Sequence, residues 1–356
     1  MNWLLVFIPI TVALEHAGVA APLVFFSAAL AIVPIASLIV RSTEHLATYT
    51  GDAVGGLLNA TFGNAPELII GIVALKAGLL DMVRASLIGA ILANLLLALG
   101  VAFVLGGARY HVQKYNSDAA RLYSSMMLIA AISLAVPSAF SRFFAPEEMI
   151  RQEALLNFGL AIVLLAAYAL YLVFMLKTHP EFFASDGGKE EHKHARWSLP
   201  RAIGGLLVAS VLAAWMSEIL VGAAEGTGQA LGMSQVFIGI VFLAIVGGAA
   251  ESSSAIAMAR RNKVDLTVGI ALGSCIQIAL FVAPVLVLAS YFIAPQPLEL
   301  SFSRPEIGSL FMAVLIGAMV ISDGHANWFR GVQLVAVYTI IALMFYFLPD
   351  VAGSAR

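Results

Sequence analysis

Eleven runs of about twenty largely apolar residues recur along this chain, each the length a helix needs to cross the hydrocarbon core of a bilayer. Backbone N–H and C=O groups find no partners in lipid, so each run must close its hydrogen bonds internally as a helix. The runs fall near 1–15, 22–48, 53–78, 82–107, 119–139, 150–176, 199–225, 234–260, 264–293, 305–322 and 328–348. Charged residues are only 11% of the chain, less than half the roughly 25% of a soluble domain, so water is left mainly the loops. The expected fold class is an all-α membrane protein of about 11 transmembrane helices, with the lipid bilayer as its environment. A net charge of −2 offers no electrostatic footprint for nucleic acid. The single cysteine, Cys275, lies within an apolar run, excludes an intrachain disulfide and reads as packing. Met1–Leu14 lacks the basic start and small-residue cleavage site of a signal peptide, and reads as a short first helix.

Lys and Arg set the orientation. With the N-terminus cytoplasmic, thirteen of the nineteen fall on the inner side, including Arg109, Lys114, Lys177, Arg260, Arg261 and Lys263. The polar stretch over 178–198 then becomes a cytoplasmic linker. Its His192 and His194 supply no closed ligand set, so a solvated linker is the reading rather than a metal site.

The segments flanking this linker are alike. A shift of 184 residues lays Gly63-Asn64-Ala65-Pro66-Glu67 over Gly247-Gly248-Ala249-Ala250-Glu251, and also pairs Asp81 with Asp265 and Gly89 with Gly273. The expected organisation is an extra N-terminal helix (1–20), a first five-helix repeat (21–177), the linker and a second five-helix repeat (199–356). An odd number of spans per repeat inserts the two copies in opposite directions. Inverted repeats are typical of secondary transporters, whose sites lie at the bilayer midplane between the copies.

Glu67 and Glu251 lie mid-span at matching positions. A carboxylate at the bilayer centre costs about 2.5–3.5 kcal/mol on insertion scales, so a symmetric pair requires a reason. Pro66 has no N–H for the carbonyl one turn before it, and Gly247-Gly248 weakens the helix at the equivalent place. Carboxylates beside loosened carbonyls form a hard, oxygen-rich setting suited to Ca2+ or another hard cation. Asn64, three residues before Glu67, shares its helix face. Asn94, Ser274 and Gln277 lie at the same depth, with helix–helix hydrogen bonding as their alternative role. Glu44 and Glu225 match near span ends, where they read as solvated acids or as guides for ions at the mouth. Two carboxylates facing each other in a poorly hydrated site cannot both ionise cheaply, so without metal the pair holds at least one proton. Competition between a divalent cation and protons for one site then couples their opposite movement.

At this point a resemblance enters. The stretch Leu58-Asn59-Ala60-Thr61-Phe62-Gly63-Asn64-Ala65-Pro66-Glu67-Leu68-Ile69 resembles the first repeat of the cation/proton exchanger family, the calcium/proton antiporters. Ala249–Pro284, with Gly273-Ser274-Cys275-Ile276-Gln277-Ile278-Ala279-Leu280-Phe281, is similar to the second repeat, and Leu176-Lys177-Thr178-His179 to the end of the sixth helix. The resemblance implies that Glu67 and Glu251 bind Ca2+ in alternation with protons. It further implies support from Asn64, Asn94, Ser274, Gln277 and the carbonyls around Gly63 and Gly247, with no cofactor beyond the transported ions. Two positions depart from the family pattern, Gly248 standing for Asn and Ser252 for His. They make Ser252 and Gly248 secondary candidates, and leave sodium, as in the related sodium/calcium exchangers, the alternative coupling ion. An intramembrane hydrolase with an acid dyad and a passive channel are the alternatives of other classes. A microbial plasma (inner) membrane is the expected location.

Overall fold

The computed structural model describes residues 2–50, 52–143, 150–179 and 197–348. Each of the eleven expected segments is helical there. The first is α1 (Trp3–His16), short of a full span, followed by α2 (Ala21–Thr50). The third is split into α3 (Asp52–Phe62) and α4 (Ala65–Lys76). Then come α5 (Leu80–Tyr110), α6 (Ser117–Ser141), α7 (Gln152–Thr178) and α8 (Leu199–Leu231). The eighth segment is also split, into α9 (Gln235–Gly247) and α10 (Ala249–Ala259), bent by 58° at their junction. The series ends with α11 (Val264–Ile293), α12 (Arg304–Ile321) and α13 (Trp328–Phe347). Among the described residues, eight continuous helices and the bent pair are long and apolar enough to cross a membrane, so the chain is an integral, multi-pass membrane protein. Most of the 178–198 linker, His192 and His194 included, lies outside the described residues.

The 184-residue offset carries into the backbone. It moves the break at Asn64 onto the break at Gly248, and both residues hold near-identical dihedrals, φ −96° and ψ 21° against φ −79° and ψ 8°. It also moves the π-turn Ala93–Ala98 in α5 onto its counterpart Ile278–Val282 in α11. The breaks are complete, where the sequence had suggested bends. Pro66 falls in the first turn of α4, where its missing N–H is one a helix start leaves unused, so it opens a new helix instead of kinking an old one.

The longest pairing is between repeat mates α2 and α8, which run antiparallel in close approach. A Cβ on Gly226 would lie 2.9 Å from Ala21 Cβ, and one on Gly205 2.8 Å from Ser42 Oγ at the other end. Small residues allow this contact where lipid gives helices no hydrophobic reason to associate. The split helices, α5 and α11 lie inside, while α7 and α13 turn broad apolar faces outward, with Leu170 and Ile340 exposed.

One end of the bundle is tied by polar contacts. Strand β1 (Val112–Lys114) pairs antiparallel with β2 (His325–Asn327). Buried Gln113 donates from Nε2 to Ala259 O at 2.9 Å and Asn262 Oδ1 at 2.8 Å, and Asn116 N–H donates to Asp265 Oδ1 at 2.7 Å. The loops after α5, α10 and α12 therefore share the end that carries Lys114, Arg260 and Lys263. At the other end Arg84 donates to Glu299 O, and the backbone at Leu300 and Phe302 donates to Asn157 and Ser138.

Candidate functional site

Both glutamates occupy the third residue of the helix that follows a break, Glu67 in α4 and Glu251 in α10. The unpaired N–H groups of a first turn favour negative charge there. The last carbonyls of α3 and α9, which no following turn can satisfy, approach the same level and favour a cation.

The halves interlock reciprocally. A Cβ on Gly247 would lie 2.9 Å from Glu67 Cγ, and one on Gly63 would lie 3.3 Å from Glu251 Oε1. Each carboxylate thus packs on the breaking glycine of the opposite repeat, an arrangement only a residue without a side chain permits. Around Gly63, Asn64 Nδ2 donates to Gln277 Oε1 in a short contact, and the Ser274 hydroxyl is hydrogen-bonded to Glu251. Around Gly247, Asn94 brings its Oδ1 within 3.6 Å of the point where a Cβ on Gly248 would sit. Glu67, Glu251, Asn64, Gly63, Gly247, Asn94, Ser274 and Gln277 therefore meet at one level.

Most of the oxygens in this cluster have no partner. Neither carboxylate oxygen of Glu67 is hydrogen-bonded beyond its own residue, and Glu251 Oε2 and Asn64 Oδ1 are likewise buried without one. Burying such acceptors unpaired costs on the order of 1–3 kcal/mol each, an expense that a bound cation or proton removes. Among the described residues no group of three or more His, Cys, Asp and Glu side chains could hold a metal. Two carboxylates with amide and backbone oxygens fit a hard ion held for passage, as cargo.

A cavity of about 310 Å3 leads to the cluster from the end carrying β1 and β2. It reaches Gly63, Glu251, Ser274 and Gln277, and its wall includes Glu44, Asn59, Asn116 and Asp265. From the opposite end a cavity of only about 20 Å3, the size of one water, touches Glu67. The two are repeat counterparts, with Leu243 and Ala90 of the small cavity standing where the large one has Asn59 and Ser274.

Of the secondary candidates, Glu44 lines the open cavity, while Glu225 is exposed and accepts from Gln229 away from it. Ser252 lines neither cavity, and its N–H donates to Gly248 O at 2.9 Å. Sequence reasoning passed over Asn59, Ser254 and Asp265. The signal lay in spacing, since Asn59 is four residues before Gly63 and Ser254 three after Glu251, each on the face of its neighbour.

A family model described as sodium/calcium exchanger protein matches residues 20–177 and 201–347. A Ca2+/H+ antiporter of Aphanothece halophytica is 40% identical over 98% of this chain and 96% of its own. The Ca2+/H+ antiporter ChaA of Bacillus subtilis is 41% identical over 89% of this chain and 90% of its own. The solved structure of native YfkE superposes with a TM-score of 0.83 at 37% identity, covering 96% of this chain and 97% of that one.

Proposed function

The chain belongs to the sodium/calcium exchanger protein family, and on that premise we propose that it is a secondary transporter exchanging Ca2+ for protons at a site shared by Glu67 and Glu251. The observation that carries the site is the reciprocal pair of buried carboxylates, each in the first turn after a helix break and each left with unpartnered oxygen. Metal and protons compete for those oxygens. Ca2+ takes about six to eight oxygen ligands, and binding it requires the carboxylates to release their protons. Apparent Ca2+ affinity therefore rises with pH on the exposed side. Asn64, Asn94, Ser274 and Gln277 contribute amide and hydroxyl groups, and the terminal carbonyls of α3 and α9 complete the oxygen set. The open cavity lies at the end with Lys114, Arg260 and Lys263, which the distribution of positive charge assigns to the cytoplasm, so this conformation faces inward from a microbial plasma membrane. The linker between the two five-helix repeats lies on that side.

The test is Ca2+ uptake into sealed proteoliposomes under an imposed pH gradient, for the wild type, Glu67→Gln and Glu251→Gln. Gradient-driven uptake abolished by either substitution is expected. Uptake that follows a sodium gradient and ignores pH would replace the proton by sodium. Flux that only runs downhill would make the chain a channel, and absence of flux and of metal-linked proton release would favour a hydrolase.

A further inference from the structure

Three glycines stand at the helix breaks, and two are required by packing. Besides its contact with Glu67, Gly247 lies where a Cβ would be 3.6 Å from Glu67 Cα, and a Cβ on Gly63 would lie 2.7 Å from Asn59 O. Gly248 is different. Its dihedrals are those that Asn64, an ordinary L-residue, adopts at the equivalent break. A Cβ there would meet Ala244 O at 3.4 Å, Asn94 Oδ1 at 3.6 Å and Glu67 Oε1 at 3.6 Å, all ordinary van der Waals contacts. Neither backbone strain nor crowding asks for glycine at 248.

The repeat shows what its absence of side chain removes. At position 64 the asparagine amide donates to Gln277 Oε1, which fixes the break to α11 and uses up an acceptor. At position 248 nothing reaches Asn94 in the same way. Asn94 Nδ2 is buried without a partner, and both oxygens of Glu67 are unpaired. The gap beside Gly248 is therefore bordered by a carboxylate oxygen and an amide oxygen at equal distance, on the Glu67 side of the cluster only. Such a gap suits a water with two polar neighbours, or the longer metal–oxygen distances of a cation larger than Ca2+, which itself takes oxygens at roughly 2.3–2.6 Å.

We propose that Gly248 is a specificity-determining position of the cation site, the room it leaves beside Glu67 and Asn94 admitting divalent cations larger than Ca2+. The inference rests on the reading of Glu67 and Glu251 as the exchange site. An asparagine at 248 would place its Nδ2 against Asn94 Oδ1 as Asn64 does against Gln277, filling the gap and withdrawing one oxygen from the ion.

The experiment compares Ba2+ with Ca2+ uptake under the same pH gradient, in proteoliposomes of the wild type, Gly248→Ala and Gly248→Asn, with folding followed by size-exclusion chromatography. The wild type is expected to carry both ions. The Ba2+ to Ca2+ ratio should fall about fivefold or more in Gly248→Asn, the scale of one polar contact, and by less in Gly248→Ala. A ratio unchanged in a folded Gly248→Asn, or a wild type that already rejects Ba2+, overturns the proposal. Should Gly248→Asn not fold, the ratio in Gly248→Ala decides alone, since its methyl fits the available space. A wild type without gradient-driven Ca2+ uptake would instead overturn the exchange reading on which the proposal stands.

Discussion

Gly247→Ala tests the reciprocal packing most directly. The added methyl would lie 2.9 Å from Glu67 Cγ, 3.5 Å from Cδ and 3.6 Å from Cα, where carbon atoms prefer about 3.5–4.0 Å. The Cα belongs to the first turn of α4 and cannot yield, so the side chain must swing by several tenths of an ångström or more. Overpacking of this kind costs about 1–3 kcal/mol. At about 1.4 kcal/mol per factor of ten, Ca2+ affinity should weaken by roughly 5- to 150-fold if the displacement falls on the carboxylate. The assay is the half-saturating Ca2+ concentration of pH-driven uptake, read beside the melting temperature in detergent. Gly222→Ala on α8, whose Cβ would meet nothing within 4 Å, is the control, and it should melt at the same temperature or slightly higher because alanine favours a helix. A Gly247→Ala protein with wild-type half-saturation would show that Glu67 does not depend on that glycine and would refute the packing argument.

Two further predictions concern the polar end of the bundle. Arg330, which chelates Asp323 in the turn between α12 and α13, holds the Asp323 carboxyl down to about 2. A depressed carboxyl contributes stability that is present above its unfolded value near 3.9 and is lost as pH falls toward 2. Asp323→Asn should therefore lower stability by a constant amount between pH 5 and 8, at most about 1 kcal/mol for so exposed a pair; thermal melts whose difference varies across that range would contradict it. Gln113→Ala removes the two hydrogen bonds that tie β1 to the α10–α11 turn and leaves Ala259 O without that donor. A loss of about 1–3 kcal/mol is expected, and a melting temperature equal to the wild type would show the tie to be dispensable.

Much of the site was legible because polarity inside an apolar run has few explanations. Glu67 and Glu251 stood out for that reason, and the 184-residue offset placed Asn64 and Gly247 beside them. The completeness of the breaks was harder to read. Pro66 and Gly247-Gly248 signal a weak point, but whether a helix bends or restarts depends on whether neighbours can receive the freed groups. Asn59 and Asp265 were missed because each lies in an otherwise ordinary helical stretch, and only the opening of the cavity distinguishes them. Ser252 drew notice as a departure from a motif, yet its helix turns it away from both cavities, leaving Ser254 to line the wall. The side on which the cavity opens was not legible at all, since both repeats carry the same pattern.

That choice is visible in pairs of repeat-matched glycines. Gly55 and Gly239 occupy equivalent places on α3 and α9, but a Cβ on Gly55 would lie 2.9 Å from Ala47 O of α2, and one on Gly239 2.6 Å from Met82 O of α5. Gly89 on α5 is pressed against the backbone of Ile240, whereas its counterpart Gly273 on α11 has nothing within 4 Å and faces the cavity. The α9–α5 contact is thus made, and its mate between α3 and α11 is open. An exchange cycle that swapped the two states would close the present cavity and open the other end without changing the glutamates' places. The two mouths would not be chemically alike. One has Asn59 and Ser274 beside its carboxylate and the other Leu243 and Ala90, so ions enter from the polar side along hydrogen-bonding groups and leave through a mouth that must first admit water to an apolar wall. The bias belongs to the barrier between states, because wetting apolar surface is unfavourable at about 25 cal/mol per Å2. Since a barrier slows both directions equally, the imposed ion gradients alone fix the direction of net exchange.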